Sequence, residues 1–197
     1  MILLVVDTSV ARAASGRPEA NHPSPACTRT LRALERRASL GVAMSRDLKA
    51  EWQRHATPFA MRWLGALVSR KRVKHIPNGG DWPGAGEILA AAAELRPSRL
   101  DPVKKDEPLW GLAMATDRRV LSNDNRQREL LRLICGRSPE IGELAWVDGS
   151  QPQAVTWLEA DAPLGPPHRV RDEMAAPRAR GRSAAEAPDV VDDGTRR

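Results

Sequence analysis

The sequence predicts an α/β fold of three layers, with helices on both faces of a central parallel sheet of about five strands. Three observations predict it. The chain opens on an unbroken apolar run, residues 2–6, that stops at Asp7. A short continuous run rich in Val and Ile is the pattern of a strand buried on both faces. Further short strand candidates follow at 41–45, 72–76, 119–122 and 144–147. Stretches with helical spacing separate them, and strands alternating with helices close into a parallel sheet.

Taken in order, the first strand turns into a short helix over 10–14. Gly16, Pro18 and Pro23 mark a loop. Ser24 and Pro25 then supply a hydroxyl cap and a proline at the first helical position. Cys27, Leu31, Leu34 and Ala38 recur at helical spacing, with Arg29, Arg32, Arg36 and Arg37 on the other faces. That pattern predicts an amphipathic helix over 25–39, closed by Gly41. Ser45 caps a helix over 46–56 with Leu48 and Trp52 inside. Thr57-Pro58 interrupts it, and another helix covers 59–70. Past the strand at 72–76 and a Pro-Asn-Gly-Gly turn at 77–80, an Ala-rich helix spans 85–95 until Pro97 ends it. A polar link follows. Asp106 opens a helix with Leu109, Leu112, Ala113 and Ala115 inside, and 126–135 forms the next around Leu130, Leu131, Leu133 and Ile134.

Near Gly149 the character changes. Pro152, Pro163, Pro166, Pro167, Pro177 and Pro188 interrupt a segment dominated by Ala, Arg, Asp and Glu. Such a composition buries too little apolar surface to offset its ordering entropy. The expected organisation is a folded domain over 1–149 and a flexible Pro/Ala/Arg-rich tail over 150–197, with Trp157 and Leu158 able to dock on the body. The formal net charge is +6; residues 151–197 hold seven Arg against eight Asp plus Glu, so residues 1–150 carry +7. A basic folded body favours polyanionic partners, nucleic acid above all.

Other chemistries find no support. Cys27 and Cys135 form neither a CxxC nor a zinc spacing, so no disulfide framework is expected and a reducing cytoplasm is the natural setting. The opening apolar run is too short for a signal-peptide core. No stretch is long enough to span a bilayer, so no membrane partner is expected. The histidines lack HxxxH or HExxH spacing, no glycine loop fits a phosphate or dinucleotide fingerprint, and no serine sits in a nucleophile elbow.

Four carboxylates stand at matched places. Asp7 ends the first strand, where ligands collect in open α/β sheets. Glu51 lies in the helix after the second strand, within Ser45-Arg46-Asp47-Leu48-Lys49-Ala50-Glu51. Asp106 begins Asp106-Glu107-Pro108-Leu109-Trp110-Gly111-Leu112-Ala113. Asp124 ends Val120-Leu121-Ser122-Asn123-Asp124. Converging acids repel unless a cation joins them. Mg²⁺ and Mn²⁺ prefer hard oxygen ligands and keep several waters, so a few carboxylates suffice. Three of the acids also have a plainer reading: Asp106 and Asp124 as helix caps, and Glu51 as an exposed helix charge beside Arg54 or His55.

In order and spacing these motifs resemble the PIN-domain nuclease family, which includes VapC-type toxins. The shared pattern is an apolar strand into Asp-Thr-Ser, a Ser-xx-Leu-xx-Glu helix, an Asp-xx-Leu-xxx-Ala helix and a Ser-x-Asp after a strand. It covers residues 1 to about 147. Pro108 and Gly111 are unusual for the third segment. The resemblance implies a five-stranded parallel α/β/α fold and a Mg²⁺- or Mn²⁺-dependent endoribonuclease. Its catalytic and metal-binding acids would match Asp7, Glu51, Asp106 and Asp124, with Ser122 orienting the site and Thr8 or Ser9 supporting the metal region. It also leaves open a toxin role with an antitoxin partner, and a homodimer.

Basic residues lie near the acids. Arg46, Lys49 and Arg54 share the helix of Glu51; Lys104 and Lys105 precede Asp106; Arg126 and Arg128 follow Asp124. These are the candidate phosphate-holding cations. Trp52, Trp63 and Trp110 are either base-stacking or core residues. The alternative of another class is a non-catalytic nucleic-acid-binding or regulatory module on the same fold. A phosphatase with Asp7 as nucleophile is disfavoured, because Ser9 stands where an Asp-x-Asp motif needs its second acid.

Overall fold

The opening apolar run is the middle strand of one sheet. In chain order the computed structural model contains β1 (Ile2–Val6), α1 (Thr8–Ala13), α2 (Pro25–Arg36), β2 (Leu40–Met44), α3 (Arg46–His55), α4 (Pro58–Ser69) and β3 (Val73–His75). There follow α5 (Ala85–Ala93), α6 (Pro97–Lys105), α7 (Glu107–Met114), β4 (Arg119–Leu121), α8 (Asn125–Ile134), α9 (Pro139–Gly142), β5 (Ala145–Val147) and α10 (Pro152–Glu159). The structure describes residues 1–15, 24–77, 82, 84–95 and 97–172. The sequence-derived loop at 16–23, most of the turn at 77–80 and the end of the tail, 173–197, lie outside them.

All strand pairs are parallel, in the order β3-β2-β1-β4-β5. Helices pack on both faces, giving the expected three-layer α/β/α architecture. Leu4, Val5 and Val6 are fully buried, as their uninterrupted apolar pattern requires. The chain winds from β1 to β2 and β3 on one side, then returns to place β4 and β5 on the other. The reversal falls between β1 and β4, and in open α/β sheets the crevice at such a point receives the ligand. No helix among the described residues is long and apolar enough to cross a membrane.

Local sequence explains most helix starts. Ser24, Ser45 and Thr57 cap α2, α3 and α4 by accepting from the backbone N–H of Cys27, Leu48 and Ala60, each at 3.2 Å. A cap of this kind contributes about 1 kcal/mol. Trp52, Trp63 and Trp110 are core residues, not base-stacking ones. Their indole N–H groups donate to the carbonyls of Val6, Leu31 and Val103 at 3.0, 2.7 and 3.0 Å.

Several expectations need correction. Helix α2 stops at Arg36, and Gly41 lies inside β2. A Cβ at Gly41 would stand 2.7 Å from the Arg72 carbonyl, so only glycine fits that approach. Arg72, at the start of the strand predicted over 72–76, is buried. Its guanidinium donates to the carbonyls of Leu34, Glu35, Arg37 and Leu40 at 2.6–2.8 Å, satisfying the carboxyl end of α2. The polar link after Pro97 is the helix α6, which continues through Pro102. Its weak apolar pattern hid it, since Val103 is its one fully buried side chain among the described residues.

The boundary at 149/150 is also corrected. Helix α10 packs against α2, and Ala154, Trp157 and Leu158 are buried at i, i+3 and i+4. Beyond it, Trp146 N–H donates to the His168 carbonyl and Val170 N–H to that of Leu144, both at 2.8 Å, so the chain pairs along the outer edge of β5. Pairing of this sort covers an otherwise open sheet edge. The folded body therefore extends at least to Asp172. Proline misled the reading of composition: Pro152 occupies the first turn of α10, where its missing N–H is no loss. Trp157→Ala should destabilise the protein by about 3–5 kcal/mol in urea unfolding, as for a buried aromatic. A change below about 1 kcal/mol would return this segment to the status of a tail.

Candidate functional site

Register builds the site. Val5 pairs with Val120 and Val6 with Leu121, so Asp7 and Ser122 leave the sheet side by side. The Asp7 backbone N–H still donates to the Leu121 carbonyl at 2.9 Å. Two hydroxyls then converge on one carboxylate oxygen of Asp7: Ser122 Oγ at 2.6 Å and Ser9 Oγ at 2.5 Å. Each serine also accepts from the loop after β4, Ser122 Oγ from Asp124 N–H and Ser9 Oγ from Asn123 N–H, both at 3.0 Å. Ser122 is fully buried. The two serines thus stitch the ends of β1 and β4 together and fix Asp7 relative to Asp124. Thr8 is buried too, but its hydroxyl has no partner among the described residues.

The four acids are held differently. Asp124 caps α8, its Oδ1 accepting from Gln127 N–H at 2.8 Å. Capping occupies one of its two carboxylate oxygens. Asp106 occupies the cap position of α7, yet its side chain makes no capping bond. The plain capping reading therefore applies to Asp124 and fails for Asp106. Glu51 is on the exposed face of α3.

Asp106 reveals that the four acids share one electrostatic field. Burial first, then the charges of Asp124 and Asp7, push its carboxyl up to about 6; Lys105 opposes them and outweighs the smaller push from Glu51. Among the described residues, however, no group of three His, Cys, Asp or Glu side chains stands close enough to hold one metal ion. Asp106 and Asp124 do line a common cleft of about 440 Å³ between α6 and α8, with Asp101, Pro102, Lys105, Arg126, Gln127 and Leu130. Asp7 and Glu51 do not line that cleft.

The candidate cations divide as well. Lys105 and Arg126 flank the cleft directly. Arg46, Lys49 and Arg54 are exposed on α3, and Lys104 is exposed at the end of α6. Arg128 is buried and turns the other way, donating to the carbonyls of Arg169 and Asp172 at 2.8 and 3.2 Å, where it anchors the strap beyond α10. The unusual residues of α7 have local causes. Pro108 lies in the first turn, where no N–H is needed. Gly111 leaves room for the indole of Trp82, which a Cβ would strike.

Sequence reading passed over Gln127. It lies at i−3 and i−4 from Leu130 and Leu131, so helical spacing places it on the inner face of α8. Its exposure is 1 %.

No family model matches the chain, and neither a curated protein nor a solved structure matches it.

A pH dependence follows from Asp106. Its carboxyl binds a proton more tightly folded than unfolded. Its contribution to stability is therefore fully present below about pH 4 and is lost as pH rises through about 6. In metal-free buffer at pH 7.5, Asp106→Asn should raise stability. After allowance for the solvent screening of a half-exposed group, the gain is on the order of 1 kcal/mol. It should vanish near pH 4. Thermal unfolding across pH measures it, and a destabilised Asn variant at pH 7.5 would contradict the assignment.

Proposed function

We propose that this protein is a metal-dependent endoribonuclease that cleaves RNA phosphodiester bonds at the carboxyl end of its sheet. The observation that carries the reading is geometric: Ser9 and Ser122 fix Asp7 beside the Asp124 loop, and Asp124 shares a cleft with Asp106, whose carboxyl burial and the neighbouring acids raise to about 6. Perturbed acids in a cleft are the signature expected of catalytic groups. Further support comes from the +7 charge of residues 1–150 and from the motif order shared with PIN-domain nucleases.

The oxygen donors are of the kind a hard divalent cation takes; among the described residues no three of them stand close enough to hold one ion, so binding would draw the side chains together. Carboxylate oxygens are the ligands that Mg²⁺ and Mn²⁺ select, and a crowded set of acids gains most from such an ion. Asp7 and Asp106 are the leading ligands, with Asp124 and Glu51 completing the set. The ion would supply Lewis-acid stabilisation of charge on the phosphoryl oxygens.

The remaining roles belong to side chains. Asp7 is held in one orientation by Ser9 and Ser122, which limits the reorganisation needed during reaction. Glu51, exposed beside the cluster, is the candidate to hold or deprotonate the attacking water. Lys105 and Arg126 flank the cleft where a phosphate backbone would lie. Arg46, Lys49, Arg54 and Lys104 extend the basic surface from there. An antitoxin protein and a second copy of the chain are the partners that go with the family resemblance. The two free cysteines suit a reducing cytoplasm.

The test is cleavage of labelled single-stranded RNA in Mg²⁺ or Mn²⁺. Wild type should cleave, chelator should abolish cleavage, and Asp7→Asn should lower the rate about 100-fold or more, the scale of several kcal/mol in transition-state stabilisation. Equal activity of wild type and Asp7→Asn would remove Asp7 from the mechanism. Salt-sensitive RNA binding without cleavage, unaffected by loss of the acids, would favour a binding module on the same fold.

A further inference from the structure

Gln127 has more than burial to explain. Both polar atoms of its carboxamide, Oε1 and Nε2, are buried with no partner among the described residues. An unpaired buried polar group opposes folding, and an apolar residue of similar shape would avoid that penalty. Leu130, one turn further along the same face, shows that an apolar side chain is accommodated at this wall. Yet Gln127 forms part of the cleft shared with Asp106 and Asp124, and its own N–H is the group that Asp124 caps. Its backbone is thus tied to one of the acids, and the cleft it lines also carries Lys105 and Arg126.

We infer that Gln127 is a specificity residue, whose carboxamide turns into the α6–α8 cleft to pair with the edge of an unpaired RNA base. The inference rests on the nuclease reading, because it takes this cleft as the place where RNA enters. The chemistry is direct. A carboxamide presents one acceptor and two donors, and a base edge presents donors and acceptors side by side. Single-stranded RNA is read through such splayed bases. Lys105 and Arg126 would hold the flanking phosphates while Gln127 reads the base. The missing partners of Oε1 and Nε2 would then be supplied by the substrate. Gln127 acts here by binding and takes no part in bond breaking.

The experiment uses the full chain with and without Gln127→Leu and Gln127→Glu. The probes are fluorescent oligouridine pentamers whose central nucleotide is A, C, G or U. Binding is measured by anisotropy in chelator-containing buffer, cleavage separately in Mg²⁺, and Tm for each variant. Wild type should discriminate between the best and worst central base by about tenfold, as one good base-edge pairing allows. Gln127→Leu should reduce that spread below about threefold and raise Tm by about 2–4 °C, since it removes unpaired polar atoms. Gln127→Glu, which has lost its donors, should change which base is preferred. An unchanged spread in Gln127→Leu, an absence of discrimination in wild type, or a lowered Tm in Gln127→Leu would each overturn the inference. RNA cleavage with an unchanged spread would overturn it and leave the nuclease reading standing. Base-selective binding that depends on Gln127 without any cleavage would support it and overturn the nuclease reading. No RNA binding by wild type would overturn both.

Discussion

The carboxyl end of this sheet is organised by a topology that brings Asp7 against the Ser122–Asp124 segment and fastens the two by hydrogen bonds. A doubly wound parallel sheet must reverse its strand order somewhere, and here the reversal lies between β1 and β4. Asp7 and the Ser122–Asp124 segment emerge side by side at that seam. Ser9 and Ser122 both donate to Asp7 and at the same time accept from the opposing loop. These bonds make the position of Asp7 a consequence of the sheet register and not of a free rotamer.

Helix placement acts alongside these bonds. Asp106 and Asp124 stand at the N-terminal ends of α7 and α8. The positive end of a helix favours a negative charge by about 0.3–1 kcal/mol. For Asp124 that favour is consolidated by a capping bond. For Asp106 it is not: the side chain forgoes the cap and lies half-buried, and burial first, then the charges of Asp124 and Asp7, raise its carboxyl to about 6. A fold selected for stability alone would cap with that aspartate or replace it. A cation bound among the acids would offset the part of that rise due to the charges of Asp124, Asp7 and Glu51.

What the sequence made legible follows the same physics. An apolar run ending in an acid is a local pattern, so β1 with Asp7 and β4 with Ser122 and Asp124 could be read directly. Ser24 and Ser45 could be recognised as caps for the same reason, whereas Thr57 read only as an interruption before Pro58 until its hydroxyl was seen to accept from Ala60 N–H. Long-range placement was less accessible. Arg72 reads as one more surface cation until four carbonyls from the end of α2 and the start of β2 are seen around it. Helix α10 was hidden because Pro152 and the prolines that follow the helix at 163, 166 and 167 outweighed the i, i+3, i+4 spacing of Ala154, Trp157 and Leu158. Helix α6 was hidden because one wall of a cleft needs little apolar surface. Gln127 carries no sequence signal beyond sharing a face with Leu130 and Leu131, since an unpaired amide is defined only by what surrounds it. The electrostatic coupling of Asp106 to Glu51 joins residues on different helices, and no spacing rule could measure it.

The central claim is that four acids share a field that a divalent cation would discharge. The most direct measurement is a carbon-13 titration of the Asp106 carboxyl by NMR, without metal and with saturating Mg²⁺. The account predicts a midpoint near 6 without metal and a fall of about 2 units or more when Mg²⁺ is present. A midpoint in the ordinary aspartate range without metal, or a raised one that Mg²⁺ leaves unmoved, would contradict it.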